Sequence, residues 1–163
     1  KYNLDKLQSI LSTGSPLISE SFEYVYEFIK KDIHLASISG GTDIVSCFVG
    51  GNPMLPVYSG EIQSKCLGVD VDVFDEKGQS SLQKGELVCK SPLPSMPIGF
   101  WDDLNKEKYI KSYFSKFKNV WTQGDYAKIS QNNGIVIYGR SDSTLNPGGI
   151  RIGTAKYIGL SSK

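Results

Sequence analysis

The chain has 163 residues, 39% of them hydrophobic, with 18 Lys plus Arg against 17 Asp plus Glu and a net charge of +1. Its length suits one ordinary domain with a sizeable core. The near-neutral balance argues against a dedicated nucleic-acid binder. A lone histidine excludes a multi-His metal site and most Ser-His or Cys-His chemistry. No membrane span is expected, because no run of about eighteen apolar residues occurs.

Residues 9–12 read as a short strand closed by the turn cluster Thr13-Gly14-Ser15-Pro16. Residues 18–30 carry Ile18, Phe22, Val25, Tyr26 and Ile29 at helical spacing, with Ser19 suited to the N-cap and Phe22 facing inward. Residues 35–39 then read as a buried strand, and His34 as a satisfied strand or core residue. A strand–helix–strand unit predicts a parallel pair in an α/β sheet. At the carboxyl end of its second strand stands Ser39-Gly40-Gly41-Thr42-Asp43, where ligands of open α/β sheets bind. Two glycines would let backbone N–H groups approach an anion, Thr42 offers a hydroxyl, and Asp43 is able to hold Mg²⁺. An ordinary Gly-Gly turn explains the same residues.

From Gly50 onward, glycines and prolines punctuate short runs, and the texture predicts a small antiparallel, barrel-like β subdomain. Val69, Val71 and Val73 alternate with Asp70 and Asp72, which predicts a strand with one wet face. Residues 107–117 read as an amphipathic helix, with Tyr109, Ile110, Tyr113, Phe114 and Phe117 inward. Cys47, Cys66 and Cys89 are odd in number and far apart, as expected of reduced, mostly buried thiols in a cytosolic protein.

Two alternating runs, 126–129 and 135–138, flank Gln131-Asn132-Asn133-Gly134. Asn-Gly there predicts a hairpin with a type I′ turn, positive φ at both residues. The hairpin would bring Asp125 at its entrance and Arg140 at its exit together, outside the strands. A polar connector at 141–149 and a second cation, Arg151, follow. One acid able to accept from two hydroxyls, and two guanidiniums able to fork onto phosphate, would equip a nucleotide site. A turn aspartate in a weak surface pair is the plainer alternative.

Gly124-Asp125, the hairpin, Gly139-Arg140-Ser141-Asp142 and Gly149-Ile150-Arg151 together resemble the signature of the adenylate-forming superfamily. The words from Gly139 to Thr154 look most like its acetoacetyl-CoA synthetase branch. So do Gly51-Asn52-Pro53, Gly60-Glu61-Ile62-Gln63, Gly85-Glu86-Leu87-Val88 and Phe100-Trp101, and the likeness runs from about residue 11 to 155.

The resemblance implies an α/β large-domain segment and a two-step ligase using ATP, Mg²⁺ and coenzyme A on a small carboxylic acid, acetoacetate in that branch. Gly41, Thr42 and Asp43 match a Gly-x-Thr-Glu motif, so that Thr42 would meet the α-phosphate and Asp43 the magnesium. Asp is one methylene shorter than the usual Glu, which predicts a water-mediated contact. Gly14-Ser15-Pro16 matches a turn lying against adenine and ribose. Asp125 would bind the ribose hydroxyls, and Arg140 the ribose and phosphate side. Asp142 falls at a hinge, and Asn146, Gly149 and Arg151 match a loop swung toward the nucleotide.

The organisation expected is a strand–helix–strand part at 1–48, a β-rich subdomain at 49–141, and the hinge with the start of a second domain at 142–163. The chain begins with Lys rather than Met and reads as part of something longer. Neither the superfamily's phosphate loop nor its C-terminal catalytic lysine is in it, so that inactivity of this stretch alone is expected. A ligase for another short acid such as acetate, or a non-catalytic product with a partial nucleotide site, are the competing readings.

Overall fold

A computed structural model describes residues 2–142 and the backbone of 144–145 and 152–153. Three of the expected nucleotide-loop residues, Asn146, Gly149 and Arg151, lie outside the described residues.

The predicted parallel pair is present. β1 (Ser9–Ser12) runs alongside β2 (His34–Ser37), from Ser9↔His34 to Ser12↔Ser37. Between them, α1 (Ser19–Tyr24) passes directly into a π-helical turn, Val25–Ile29. The N-cap is Ile18, extended at φ −78° and without a side-chain cap bond, so Ser19 is the first helical residue rather than the cap. Phe22 is buried as expected, but Ile18 and Ile29 are exposed. The π turn bonds five residues back instead of four, and so carries the apolar stripe out of phase.

β3 (Ser39–Gly41), a 3₁₀ turn (Thr42–Ile44), β4 (Ser46–Gly50) and β5 (Ser64–Lys65) follow, the strands forming an antiparallel sheet in the order β3-β4-β5. Gly40 and Gly41 therefore sit in a strand, not a turn. A Cβ at Gly40 would collide with the Ser46 carbonyl and Cys47 Cα on the facing strand. That glycine exists for close strand pairing rather than as an anion cradle.

β6 (Val71–Phe74), β7 (Gly85–Cys89), β8 (Trp121–Ile129) and β9 (Ile135–Arg140) form a four-stranded antiparallel meander in that order. The bridge Ile62↔Ile135 ties it to the segment before β5. Ile44, Phe48 and Val49 share one core with Val71, Val73, Leu87, Trp121, Ala127 and Ile135, which locks the two antiparallel sheets together. α2 (Glu107–Tyr113) covers the start of β8, its first turn held by the Asp103 carboxylate accepting from the Lys108 and Tyr109 amides. The helix is shorter than expected, and Ile110 faces solvent. A backbone ladder of β10 (Thr144–Leu145) and β11 (Ile152–Gly153) follows the meander. No helix among the described residues is long and apolar enough to cross a membrane.

Two local expectations give way. Asp72 is only 8% exposed, not on a wet face. Its carboxylate accepts from the Val73 amide, the Ser80 hydroxyl and Lys90 Nζ. Burial pushes its pKa up, but those donors outweigh it and hold the carboxyl below the usual range. The β8–β9 turn is also not type I′. Ser130 and Gly134 close it through Ser130 N–H to Gly134 O, a turn bond runs from Asn133 N–H to Ser130 O, and only Asn133 has positive φ, at 61°. Three loop residues force a type I turn plus one left-handed residue, so Asn supplies the left-handed step and Gly134 does not.

Candidate functional site

Three separate chain segments meet in one cleft of about 630 Å³. The first is the turn after β1, where Gly14 has φ +89°, a region that only glycine enters without strain, and Ser15 and Pro16 line the wall beside it. The second is β3 and the 3₁₀ turn, bringing Gly41, Thr42 and Asp43. The third is the β8–β9 pair with Gln123, Asp125 and Arg140. Every described residue expected to contact nucleotide or metal thus lines the same cavity. Asp142, expected at a hinge, stands just outside it, against Arg140.

Asp125 and Arg140 are not outside the strands. They are direct cross-strand partners within β8 and β9, and Arg140 Nη1 lies 3.5 Å from Asp125 Oδ1. Two irregularities aim them. Between the pairs Val88↔Thr122 and Glu86↔Tyr126, β8 carries more residues than β7, so that positions 123–125 bulge out of the ladder. On β9, Tyr126 pairs with Gly139 and Ala127 with Ile137, leaving Tyr138 as an extra residue before Gly139 at φ +121°. Gly124, at φ +85°, leaves the room through which the Arg140 guanidinium passes: a Cβ there would stand 2.7 Å from Nη2 and 3.1 Å from Asp142 Oδ2.

Arg140 also forks onto Asp142, with Nε donating to Oδ1 at 2.9 Å and Nη2 donating to Oδ2. Beneath them lies Glu86, 2% exposed, which accepts from Lys116 Nζ and from the Ser141 hydroxyl at 2.8 Å. The group is acidic around one guanidinium, and its members perturb one another. Burial raises the Asp125 pKa, Arg140 opposes that, and Glu86 and Asp142 add to it. The Arg140 pKa is raised chiefly by its hydrogen bond to Asp142. A carboxylate lodged this way gains from hydroxyl donors supplied by a ligand.

On the other wall, Asp43 Oδ2 accepts from Gln123 Nε2 at 3.2 Å. Among the described residues no group of three or more His, Cys, Asp or Glu side chains is placed to hold a metal. An isolated carboxylate does suit Mg²⁺ that arrives on a polyphosphate, since that ion keeps waters and takes one or two protein carboxylates beside phosphate oxygens.

Nothing in the sequence marked Gln123 or Glu86 for this site. Glu86 sits in a Gly-Glu-Leu run that reads as plain strand, and Gln123 finds its partner 80 positions away. His34 takes the strand role expected of it, its Nε2 donating to Gln63 Oε1 at 2.7 Å; Oε1 also accepts from the Asn52 amide, which fixes the direction. Cys47, Cys66 and Cys89 are all free thiols, and burial pushes those of Cys66 and Cys89 up.

No family model matches the chain. Acetoacetyl-coenzyme A synthetase from Rhizobium meliloti (strain 1021) is 57% identical over 156 residues, 95% of this chain and 24% of that protein. The solved acetoacetyl-CoA synthetase from Streptomyces lividans is 42% identical with a TM-score of 0.79, over 94% of this chain and 24% of that one. An anthranilate CoA ligase solved with anthranoyl-AMP superposes at a TM-score of 0.72 over 95% of this chain with 18% identity, a likeness of fold alone. The chain thus spans about a quarter of the length of the curated relatives it matches, and its α/β fold is that of the corresponding part of the adenylate-forming enzymes.

Proposed function

We propose that this chain is the nucleotide-binding quarter of an acetoacetyl-CoA synthetase, a ligase converting acetoacetate, ATP and coenzyme A to acetoacetyl-CoA, AMP and pyrophosphate. The observation that carries the reading is the gathering of Gly14-Ser15-Pro16, Gly41-Thr42-Asp43 and Asp125 with Arg140 around one cleft. The 57% identity to the Rhizobium meliloti synthetase supports acetoacetate as the acid.

In this reading the acid's carboxylate attacks the α-phosphorus of ATP, pyrophosphate leaves, and the coenzyme A thiol then displaces AMP from the acyl-adenylate. The protein's part is positioning and charge stabilisation rather than nucleophilic attack. Asp125 accepts from the ribose hydroxyls. Arg140, braced by Asp142, faces the ribose and phosphate side, and Thr42 donates to the α-phosphate. Gly14, Ser15 and Pro16 form the wall for the adenine and ribose. Asp43 would hold Mg²⁺, whose charge neutralises the phosphates when bound. Asn146, Gly149 and Arg151 belong in this proposal to the loop reaching the nucleotide. The setting is the cytosol, in keeping with three free thiols.

The test is acetoacetate- and coenzyme A-dependent release of pyrophosphate by the full-length protein that carries this stretch. Release with acetoacetate supports the proposal. Release with acetate alone moves it to another short-acid ligase, and none with either acid removes the enzymatic reading. By the same reading the 163-residue stretch alone is inactive.

Asp142 is the proposed pivot. It follows β9, and its fork onto Arg140 couples the start of the connector to the nucleotide wall. Proline there would fix φ near −65° and freeze one arrangement. Asp142→Pro in the full-length protein is therefore expected to slow thioester formation at least tenfold more than ATP–pyrophosphate exchange. Equal slowing of the two half-reactions would remove the pivot.

A further inference from the structure

Asp43 stands on an exposed turn, yet its carboxylate is steered from the opposite sheet by a fixed set of side chains. Trp121, 1% exposed, donates from Nε1 to Gln123 Oε1 at 3.0 Å. That bond settles which end of the Gln123 amide is oxygen, and leaves Nε2 to donate to Asp43 Oδ2 at 3.2 Å. Gln123 reaches across only because position 41 carries no side chain: a Cβ at Gly41 would lie 2.5 Å from Gln123 Nε2 and 3.1 Å from Cδ. Tyr113 stacks on the Trp121 ring at 3.7 Å and 12°. Burial, and after it the charge of the nearby Asp43 carboxylate, push the Tyr113 hydroxyl up to about 12.

The geometry points to Gln123 as a positioning residue, anchored by Trp121 on the Tyr113 ring, that turns the short Asp43 carboxylate toward the cleft and leaves its second oxygen for the cation carried by a nucleotide. This rests on the proposed reading of Asp43 as the residue meeting Mg²⁺. Asp43 is shorter than the glutamate its motif usually carries, and a donor held on a rigid aromatic support restricts its rotamers where length does not. Donors that hold a ligating carboxylate in place are worth roughly 10- to 100-fold in metal affinity.

The experiment is calorimetric titration of the full-length protein with ATP, in excess Mg²⁺ and again in EDTA, for the parent, Gln123→Leu, Trp121→Phe, Asp43→Ala and Gln123→Leu/Asp43→Ala. Trp121→Phe keeps an aromatic ring against Tyr113 and removes the Nε1 donor to Gln123, so it guards against a Gln123 variant that fails to fold. The expected result is an approximately tenfold loss of affinity for Gln123→Leu in Mg²⁺ and less than about twofold in EDTA. Trp121→Phe should show a smaller loss with the same selectivity, and the double variant no loss beyond Asp43→Ala alone. Equal losses in Mg²⁺ and EDTA, or losses that add in the double variant, would overturn the positioning role while leaving the nucleotide site standing. An Asp43→Ala variant that binds Mg²⁺–ATP like the parent would overturn both this inference and the metal role of Asp43.

Discussion

Replacing Asp125 by alanine in the full-length protein is expected to weaken ATP binding by about 2–4 kcal/mol, the worth of a charge-assisted pair of hydrogen bonds. That corresponds to roughly 30- to 1,000-fold in affinity. The residue is 7% exposed and sits in β8 with its carboxylate on the cleft wall, so water does not substitute freely for what the protein loses. The fold should survive the change, because Arg140 keeps its fork onto Asp142.

A pH dependence accompanies the same group. The Asp125 pKa is raised, first by burial, so the folded protein holds that proton more tightly than the unfolded chain does. The group's contribution to stability is therefore greatest below its unfolded pKa and is lost as pH rises through the folded one. Ribose binding calls on the ionised form and runs the other way. Affinity is present above the raised pKa and falls away as pH drops through it, at a higher pH than an ordinary aspartate would give. Calorimetry of parent and Asp125→Ala from pH 5 to 8 checks both parts. Unchanged affinity in the variant would remove Asp125 from the site.

What the sequence made legible was pattern of short range. Alternation and a period near 3.6 located β1, α1, β2, β8 and β9, and Asn133-Gly134 located the hairpin that makes Asp125 and Arg140 neighbours. The likeness to adenylate-forming enzymes then gathered residues as distant as Gly14, Thr42 and Asp125 into one expected site. What stayed hidden has no periodic trace. The π turn at Val25–Ile29, the bulge at 123–125 and the extra residue Tyr138 are register irregularities, and register depends on partner strands that local sequence does not name. Gly40 and Gly41 were legible as glycines but not in their purpose. One is crowded by the backbone of β4 and the other by the amide of Gln123, and neither neighbour lies close in the chain. Asp72 misled for the same reason, since Lys90 and Ser80 come from other segments to cover it.

Trp121→Ala should cost about 3–5 kcal/mol of stability, the usual penalty for emptying a large aromatic site in a packed core. The indole is 1% exposed, stacked on Tyr113, and met edge-on by Tyr109 and Phe114. It opens β8 at the point where α2 docks, so its loss unseats the helix as well as the strand. Phenylalanine at the same position separates packing from polarity. Trp121→Phe keeps an aromatic surface for Tyr113 but removes the Nε1 donor that fixes the Gln123 amide. Thermal unfolding of the full-length protein should therefore show a large drop for Trp121→Ala and a small one for Trp121→Phe. ATP titration of Trp121→Phe should nonetheless show a loss confined to Mg²⁺-containing buffer. If both variants melted with the parent, the aromatic cluster would not be what holds α2 on the sheet. If Trp121→Phe lost affinity equally in EDTA, the indole would act on the nucleotide by some route other than Gln123 and Asp43.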